Sequence, residues 1–456
     1  MNDLEALMWT LEKDPYLSSA FANLTTLDRA PDMARLRRRL EHASVVLPRL
    51  RQRVRPALGR LAPPAWQDDP EFELGYHLRR IALPQPASER ELLDLATRLA
   101  HTPFDRTRPL WEFTVIEGAE DGGAAVVQKI HHAVTDGVGG VRMAEEMVDL
   151  TPEGDLREDA TDDPPAVQPA EEHLLATTAD TVTHRLRRLA GAAQRTARSA
   201  TDLATHPDRL PEVGGEALSA LQSVRRQLAV VEPAHSPLWT ARSLRQRFEV
   251  LSVPFADAHR AAKAMGGSLN DLFVTAACRG AGAYHRAHGA EVEELRMAMP
   301  VSTRHDRTAG GNAFAPSRVL VPVSIDDPVE HLQVVADRLD RTRHEPALEL
   351  AASLAGVMVL LPTSVLVRFA RQQAATIDFT TSNVRGAPVP LYLAGARVTA
   401  NYPLGPLAVT AFNLTLLSYD GSLDMGLMVD EAAVEDPASL RSSIEEGFRE
   451  LLASAG

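Results

Sequence analysis

"WEFTVIEGAEDGGAAVVQKIHHAVTDG", residues 111–137, decides how the rest of the chain is read. Trp111, Phe113 and Val115 alternate with Glu112 and Thr114, the period of a half-buried strand. "AEDGG" then supplies turn residues, and a second apolar run, "AAVVQKI", follows, so the pair predicts a β-hairpin. Helical patterns flank it: "ERELLDLATRLAHT" before and "VRMAEEMVDL" after. Strands and helices mixed in this order predict an α/β or α+β class with mixed sheets. The second strand is expected to end at Ile130. A helix is expected to begin near Gly137, with Val138, Val141, Ala144 and Val148 along one side.

That places His131, His132 and Asp136 in a strand-to-helix turn, held by rigid elements on both sides. Imidazole takes a proton near neutral pH without special tuning. A histidine facing a pocket there would deprotonate a bound alcohol or amine as it attacks an acyl carbon. Asp136 would hold the loop through an arginine or backbone amides, or simply cap the following helix. Gly137 removes a side chain where the chain turns tightly. Adjacent histidines in a turn converge poorly on one metal ion, and no neighbouring Cys/His set completes a shell.

The wider composition narrows the classes. The chain has 456 residues, 45% of them hydrophobic and 24% charged, which suggests two domains of ordinary globular composition. A net charge of −13 argues against general nucleic-acid binding. The acidic opening "MNDLEALMWTLEKDP" does not resemble a signal peptide, and the longest apolar stretch, "LAGVMVLLPTSVLV", is broken by Pro362. With a single cysteine, Cys278, no internal disulfide forms, and a cytoplasmic location is expected. Cys278 lies in the helical run "NDLFVTAACRGAGAYHRAHG" and reads as a buried small residue. Neither a G-x-S-x-G elbow nor a P-loop is present.

Residues 151–173, acidic and Pro-rich, read as an exposed linker. An amphipathic helix carrying Arg185, Arg187, Arg188, Arg195 and Arg198 follows, either a solvated crossover or a contact for a membrane or lipid-droplet surface. The expected division is residues 1–150, a crossover at 151–243, and 244–456.

"HHAVTDG" resembles the HHxxxDG motif of the CoA-dependent acyltransferase superfamily. Further stretches resemble one branch, the bacterial wax ester synthase/acyl-CoA:diacylglycerol acyltransferase family: "RPLWEF" (108–113), "SLNDLFVTA" (268–276), "MPVSTR" (299–304) with "GGN" (310–312), "TSNVRGAPVPLYLAGARV" (381–398), "NYPLGPL" (401–407) and "NLTLLSYDGSL" (413–423). They run in family order along nearly the whole chain. The resemblance implies two chloramphenicol-acetyltransferase-like mixed α/β domains joined by a crossover around a central tunnel. It implies fatty acyl transfer from acyl-CoA, a co-substrate, to a long-chain alcohol or diacylglycerol, with no bound cofactor or metal. His132 would be the general base, with His131 and Asp136 as scaffold, and the partner of Asp136 is expected to be Arg304 or another arginine of the second domain. Gly137, Asn270, Ser302, Arg304, Ser382 and Asn383 would line the substrate site. Ser268 and Asp271 are also spaced as a capping box, and Trp111 reads as core. "SNVRGAP" reads as a turn after a strand.

Two departures from the family pattern stand out. Trp239 replaces an expected Asn in "SPLWTARS", and Arg385 and Ala387 interrupt the usual "SNVPGP". Both are expected at a substrate mouth or as neutral loop changes. The alternatives are an acyltransferase of the same superfamily acting on a specialised natural-product hydroxyl or amine, and a silent lipid-binding homologue.

Overall fold

The computed structural model describes residues 1–56, 64–135, 140, 143, 146–154, 233–302, 314–343 and 362–454. The Arg-rich segment 185–198, Asp136, Gly137 and Arg304 lie outside the described residues, as does all of the 151–173 linker beyond Gly154.

The first half runs α1 (Asp3–Leu11), β1 (Ala20–Leu27), α2 (Met33–Val46), β2 (Gln52–Arg55), β3 (Ala65–Asp68), α3 (Leu74–His77), β4 (Leu78–Ala82), α4 (Glu89–His101), β5 (Trp111–Glu117) and β6 (Ala124–His131). The second runs β7 (Gln246–Pro254), α5 (Phe255–Ala264), α6 (Leu269–Ala287), β8 (Glu294–Ser302), β9 (Phe314–Pro322), α7 (Pro328–Arg343) and α8 (Thr363–Ala374). It continues through β10 (Phe379–Arg385), β11 (Tyr392–Leu393), β12 (Ala396–Leu404), β13 (Phe412–Tyr419), β14 (Ser422–Asp430) and α9 (Pro437–Ala453).

The expected hairpin forms: β5 and β6 pair antiparallel, with Trp111 opposite Ile130. β6 runs one residue further than expected, because His131 pairs with Ala20 across β1 and donates its backbone N–H to Leu110. Among the described residues, two six-stranded sheets result, ordered β11-β12-β1-β6-β5-β4 and β7-β14-β13-β10-β8-β9, with a small β2-β3 ribbon. Each is mixed: β4/β5, β8/β10 and β10/β13 are parallel, and the other pairs are antiparallel. The first sheet takes its last two strands from residues 392–404, far along the chain.

Both faces of β5 are covered, so the strand is buried along nearly its whole length despite its alternation. Trp111, Phe113 and Val115 join Leu36 and Leu40 of α2, while Ile116 joins Leu92, Leu93 and Ala96 of α4. Trp111 is fully buried, donates its indole N–H to the Leu50 carbonyl at 2.8 Å and stacks on His77. It is core, as expected, and its truncation to Ala would cost roughly 3–5 kcal/mol.

The α4 cluster also contains Phe248, Val250 and Met428 of the second sheet, so one apolar core serves both sheets. Arg90 of α4 donates to Glu249 at 2.9 Å and to the Phe248 carbonyl at 2.9 Å across that seam. β12 lies over β14 closely enough that a Cβ on Gly426 would come within 1.8 Å of the Pro403 carbonyl oxygen. Only glycine permits that approach. The third core, under the second sheet, is built from α5, α6, α7 and α9 and contains the fully buried Cys278, whose thiol pKa burial drives upward.

Candidate active site

Two adjacent histidines end β6, and their surroundings differ. His131 is 1% exposed. Its Nδ1 accepts the Ala133 backbone N–H at 2.9 Å, so the ring proton sits on Nε2, which donates to Glu12 Oε2 at 3.1 Å. Both ring nitrogens are thereby committed to holding the turn. Phe104 closes over the ring edge.

Glu12, just beyond α1, ties several segments together. Its carboxylate accepts the Ser18 hydroxyl at 2.7 Å and the Ser19 N–H at 2.7 Å as well as His131. Burial pushes its carboxyl pKa upward, but the hydrogen bonds from His131, Ser19 and Ser18 outweigh burial and leave it below the usual value. The Ser19 carbonyl in turn accepts the His132 backbone N–H at 2.9 Å. The backbone of His132 is thus fixed through a residue that the sequence gives no reason to single out. Glu12 lies 119 residues from His131 and belongs to no motif.

His132 is half-buried. Its ring lies 4.5 Å from that of Phe21, tilted by 35°. Phe21 also faces Gly140, where a Cβ would stand 3.6 Å from the phenyl ring. His132 therefore sits just past the C-terminal end of β6, half-buried, with one aromatic wall.

A second group of expected residues gathers elsewhere. Ser268 and Asp271 form the capping box at the start of α6: the Asp271 carboxylate accepts from the Ser268 backbone N–H at 2.8 Å and hydroxyl at 2.6 Å. Asn270 between them accepts a hydrogen bond from Asn383 Nδ2 at 3.3 Å. Asn270, Ser382 and Asn383 line one cavity of about 280 Å³ together with Met299, Pro300, Arg343 and Thr381. Its described lining includes neither His131 nor His132. Ser382 and Asn383 lie within β10 rather than in a turn. Parallel pairing to β13 extends the strand through Arg385, whose side chain is exposed. Ser302 ends β8, and its side chain lies outside the described residues.

Trp239 does not stand at a mouth. It is fully buried against His285, Phe412 and Tyr284, in the core beneath the second sheet. The reason is packing: an indole covers more apolar surface there than the shorter amide would. Among the described residues, no group of three or more His, Cys, Asp or Glu side chains converges as a metal site. None of the described helices is long and apolar enough to cross a membrane.

Residues 1–273 match the wax ester synthase/diacylglycerol acyltransferase catalytic domain, and residues 310–452 match the C-terminal domain of the same family. A provisionally named diacylglycerol O-acyltransferase of Mycobacterium tuberculosis is 35% identical over 465 residues, covering 100% of this chain and 92% of the relative. A second from the same organism is 34% identical over 90% of this chain and 89% of its own. In structure, the wax ester synthase/diacylglycerol acyltransferase from Marinobacter aquaeolei VT8 superposes with a TM-score of 0.63 at 21% identity, covering 100% of this chain and 99% of that one. The first condensation domain of the calcium-dependent antibiotic synthetase gives 0.59 at 18% identity, over 99% and 94% of the two chains. Those two likenesses carry the fold, and the sequence matches carry the membership. The chain belongs to the wax ester synthase/diacylglycerol acyltransferase family and is an acyltransferase.

Proposed function

We propose that the protein moves a fatty acyl group from acyl-CoA to a long-chain alcohol, to diacylglycerol or to both, with His132 as general base. One observation carries the choice of histidine: both ring nitrogens of His131 are engaged, by Ala133 and Glu12, in a side chain sealed from solvent, whereas His132 is half-buried beside Phe21. In the proposed step His132 takes the acceptor hydroxyl proton as that oxygen attacks the thioester carbonyl. The carbon–sulfur bond breaks, and the proton passes to the departing CoA sulfur, in one ternary complex without an acyl-enzyme. Asp136 and Gly137 complete the turn, with Arg304 as the partner of Asp136, and Asn270, Ser302, Ser382 and Asn383 contact substrate. The Arg-rich segment 185–198 is proposed as a peripheral contact for a lipid surface, within a crossover that joins the 1–150 and 244–456 portions.

The relatives' names support the acceptor class. Purified protein given palmitoyl-CoA with hexadecanol or dipalmitoylglycerol is expected to release free CoA thiol. His132→Ala is expected to lower kcat by roughly 100-fold or more. Wild-type turnover in that variant would remove His132 from the mechanism. Turnover with small polar alcohols or amines alone would replace the lipid acceptors.

A further inference from the structure

The cavity at the start of α6 has the wrong chemistry for a fatty chain. Thr381, Ser382, Asn383 and Asn270 contribute hydroxyl and amide groups, and Arg343 contributes a cation. Apolar chains are held by apolar walls with few polar groups. Met299 and Pro300 are the only apolar residues among the described lining.

Two further observations point to a polar, anionic occupant. The first is Asn270. Its Oδ1 accepts from Asn383, while its Nδ2 is shielded from solvent and has no hydrogen-bond partner among the described residues. A buried amide donor without a partner is costly, and a ligand carbonyl would satisfy it. The second is Arg343, at the end of α7. Its neighbours on the helix are paired, Arg338 with Glu294 at 2.6 Å and Arg341 with Asp337 at 2.7 Å. Arg343 is exposed, lines the cavity and makes no ion pair among the described residues. A guanidinium offers a fork of donors suited to phosphate oxygens.

We propose that this cavity receives the polar arm of the CoA donor, with Arg343 binding a phosphate of the nucleotide end and Asn270 Nδ2 donating to an amide carbonyl of the pantetheine. The proposal rests on acyl-CoA being the donor, and it makes Arg343 a donor-specificity residue that no sequence motif includes. The arm is long, polar and studded with amides, which matches a cavity lined by hydroxyl and amide groups together with a cation. The acyl chain would lie beyond it.

The test compares two donors. Palmitoyl-CoA and palmitoyl-pantetheine share the acyl group, thioester and amides, but only the first carries phosphates. Arg343→Ala is expected to raise KM for palmitoyl-CoA about 10-fold while kcat is largely kept, since loss of one charge-assisted contact is worth about that factor. The fall in kcat/KM relative to wild type is expected to be several-fold larger with palmitoyl-CoA than with palmitoyl-pantetheine. Arg343→Lys should recover part of the KM. Equal losses with both donors, or an unchanged KM for palmitoyl-CoA, would overturn the phosphate assignment. Titration calorimetry with CoA alone gives a second measurement, in which Arg343→Ala should weaken binding by the same factor; unchanged CoA affinity would also overturn it. An inactive His132→Ala that still binds CoA normally keeps the two proposals separable. Failure of His132 as base would appear in kcat with either donor, and failure of Arg343 would appear only in KM and CoA affinity.

Discussion

Removing the Glu12 carboxylate should loosen the turn that carries both histidines, and two substitutions grade the effect. In wild type Oε1 accepts Ser18 Oγ–H, and Oε2 accepts both Ser19 N–H and His131 Nε2–H. In Glu12→Gln the amide oxygen can serve Ser19 and His131 while the NH2 meets Ser18 Oγ, which can turn to accept it. The three contacts survive without the charge, at a cost of about 1–2 kcal/mol. Glu12→Ala instead leaves the Ser19 N–H and a buried imidazole N–H unpaired, at a cost on the order of 3 kcal/mol. His131 then turns away from Ala133, and the Ser19 carbonyl that holds His132 shifts. Glu12 acts through its neighbours, so it is a positioning residue. We expect kcat to fall about 10-fold in Glu12→Ala, with KM for acyl-CoA nearly unchanged, and Gln to recover most of the rate. The stability part depends on pH. The folded carboxyl pKa lies below the ordinary 4.5, so its contribution is complete above that value and vanishes as pH falls through the depressed one. The gap in urea unfolding between wild type and Glu12→Ala should therefore be widest near neutrality and narrow below about pH 4. An alanine variant with wild-type unfolding midpoint and kcat would refute the reasoning.

A buried ion cluster and two buried histidines give further expectations. Asp149, fully buried, bridges Arg35 at 2.6 Å and Arg39, and its backbone pairs with Tyr392. Asp149→Asn leaves two mostly buried guanidinium groups short of charge, and urea unfolding should register a loss of about 3–5 kcal/mol; less than about 1 kcal/mol would contradict it. His77 and His331 are fully buried, and burial pushes the pKa of each down to about 4. Their neutral forms are the folded ones, so stability is complete above the ordinary 6.5 and declines as pH falls toward about 4, by at most about 3 kcal/mol for each. NMR titration of the imidazoles should find neither protonating above pH 5 in the folded protein, and a midpoint near 6.5 would contradict the burial.

How much of this was legible in the sequence follows from the range of each signal. The β5–β6 hairpin, the Ser268–Asp271 capping box, the burial of Trp111 and the placement of Cys278 all rest on patterns within a few residues, and all are found. "SNVRGAP" misled because its Asn and Gly read as a turn, whereas pairing with β13 keeps Ser382–Arg385 extended. Tertiary pairing overrode local preference. The joining of β12 to β1 was out of reach for a different reason. Asn23 donates to Asn401 at 3.0 Å across 378 residues, and nothing local in either strand names its partner. Glu12 belongs with that case, since one acid among many gains meaning only when the fold brings it under His131.

The core beneath the second sheet supplies a contrast to the choice of His132. Ser236 Oγ lies 2.8 Å from His285 Nε2, and His285 Nδ1 donates to the Ala281 carbonyl at 2.7 Å, so the ring accepts the serine proton as a catalytic base would. Asp378 is close by and accepts the Ser236 backbone N–H at 2.9 Å. Read as a set of residue types, this is a Ser–His–Asp constellation. Yet Asp378 bonds backbone amides rather than the imidazole, and Ser236 Oγ also accepts the Trp239 N–H at 2.9 Å. Trp239 packs edge-on to the His285 ring at 4.4 Å, and Ser236 and His285 are 3% and 0% exposed. Burial also lowers the basicity of His285. No acyl carbon reaches that hydroxyl, so the pair anchors the segment entering β7. Access likewise separates the neighbours at the end of β6. His131 is sealed from solvent with both nitrogens spent on the turn, while His132 stands half-buried just past the end of β6, its backbone N–H held by the Ser19 carbonyl beside Glu12.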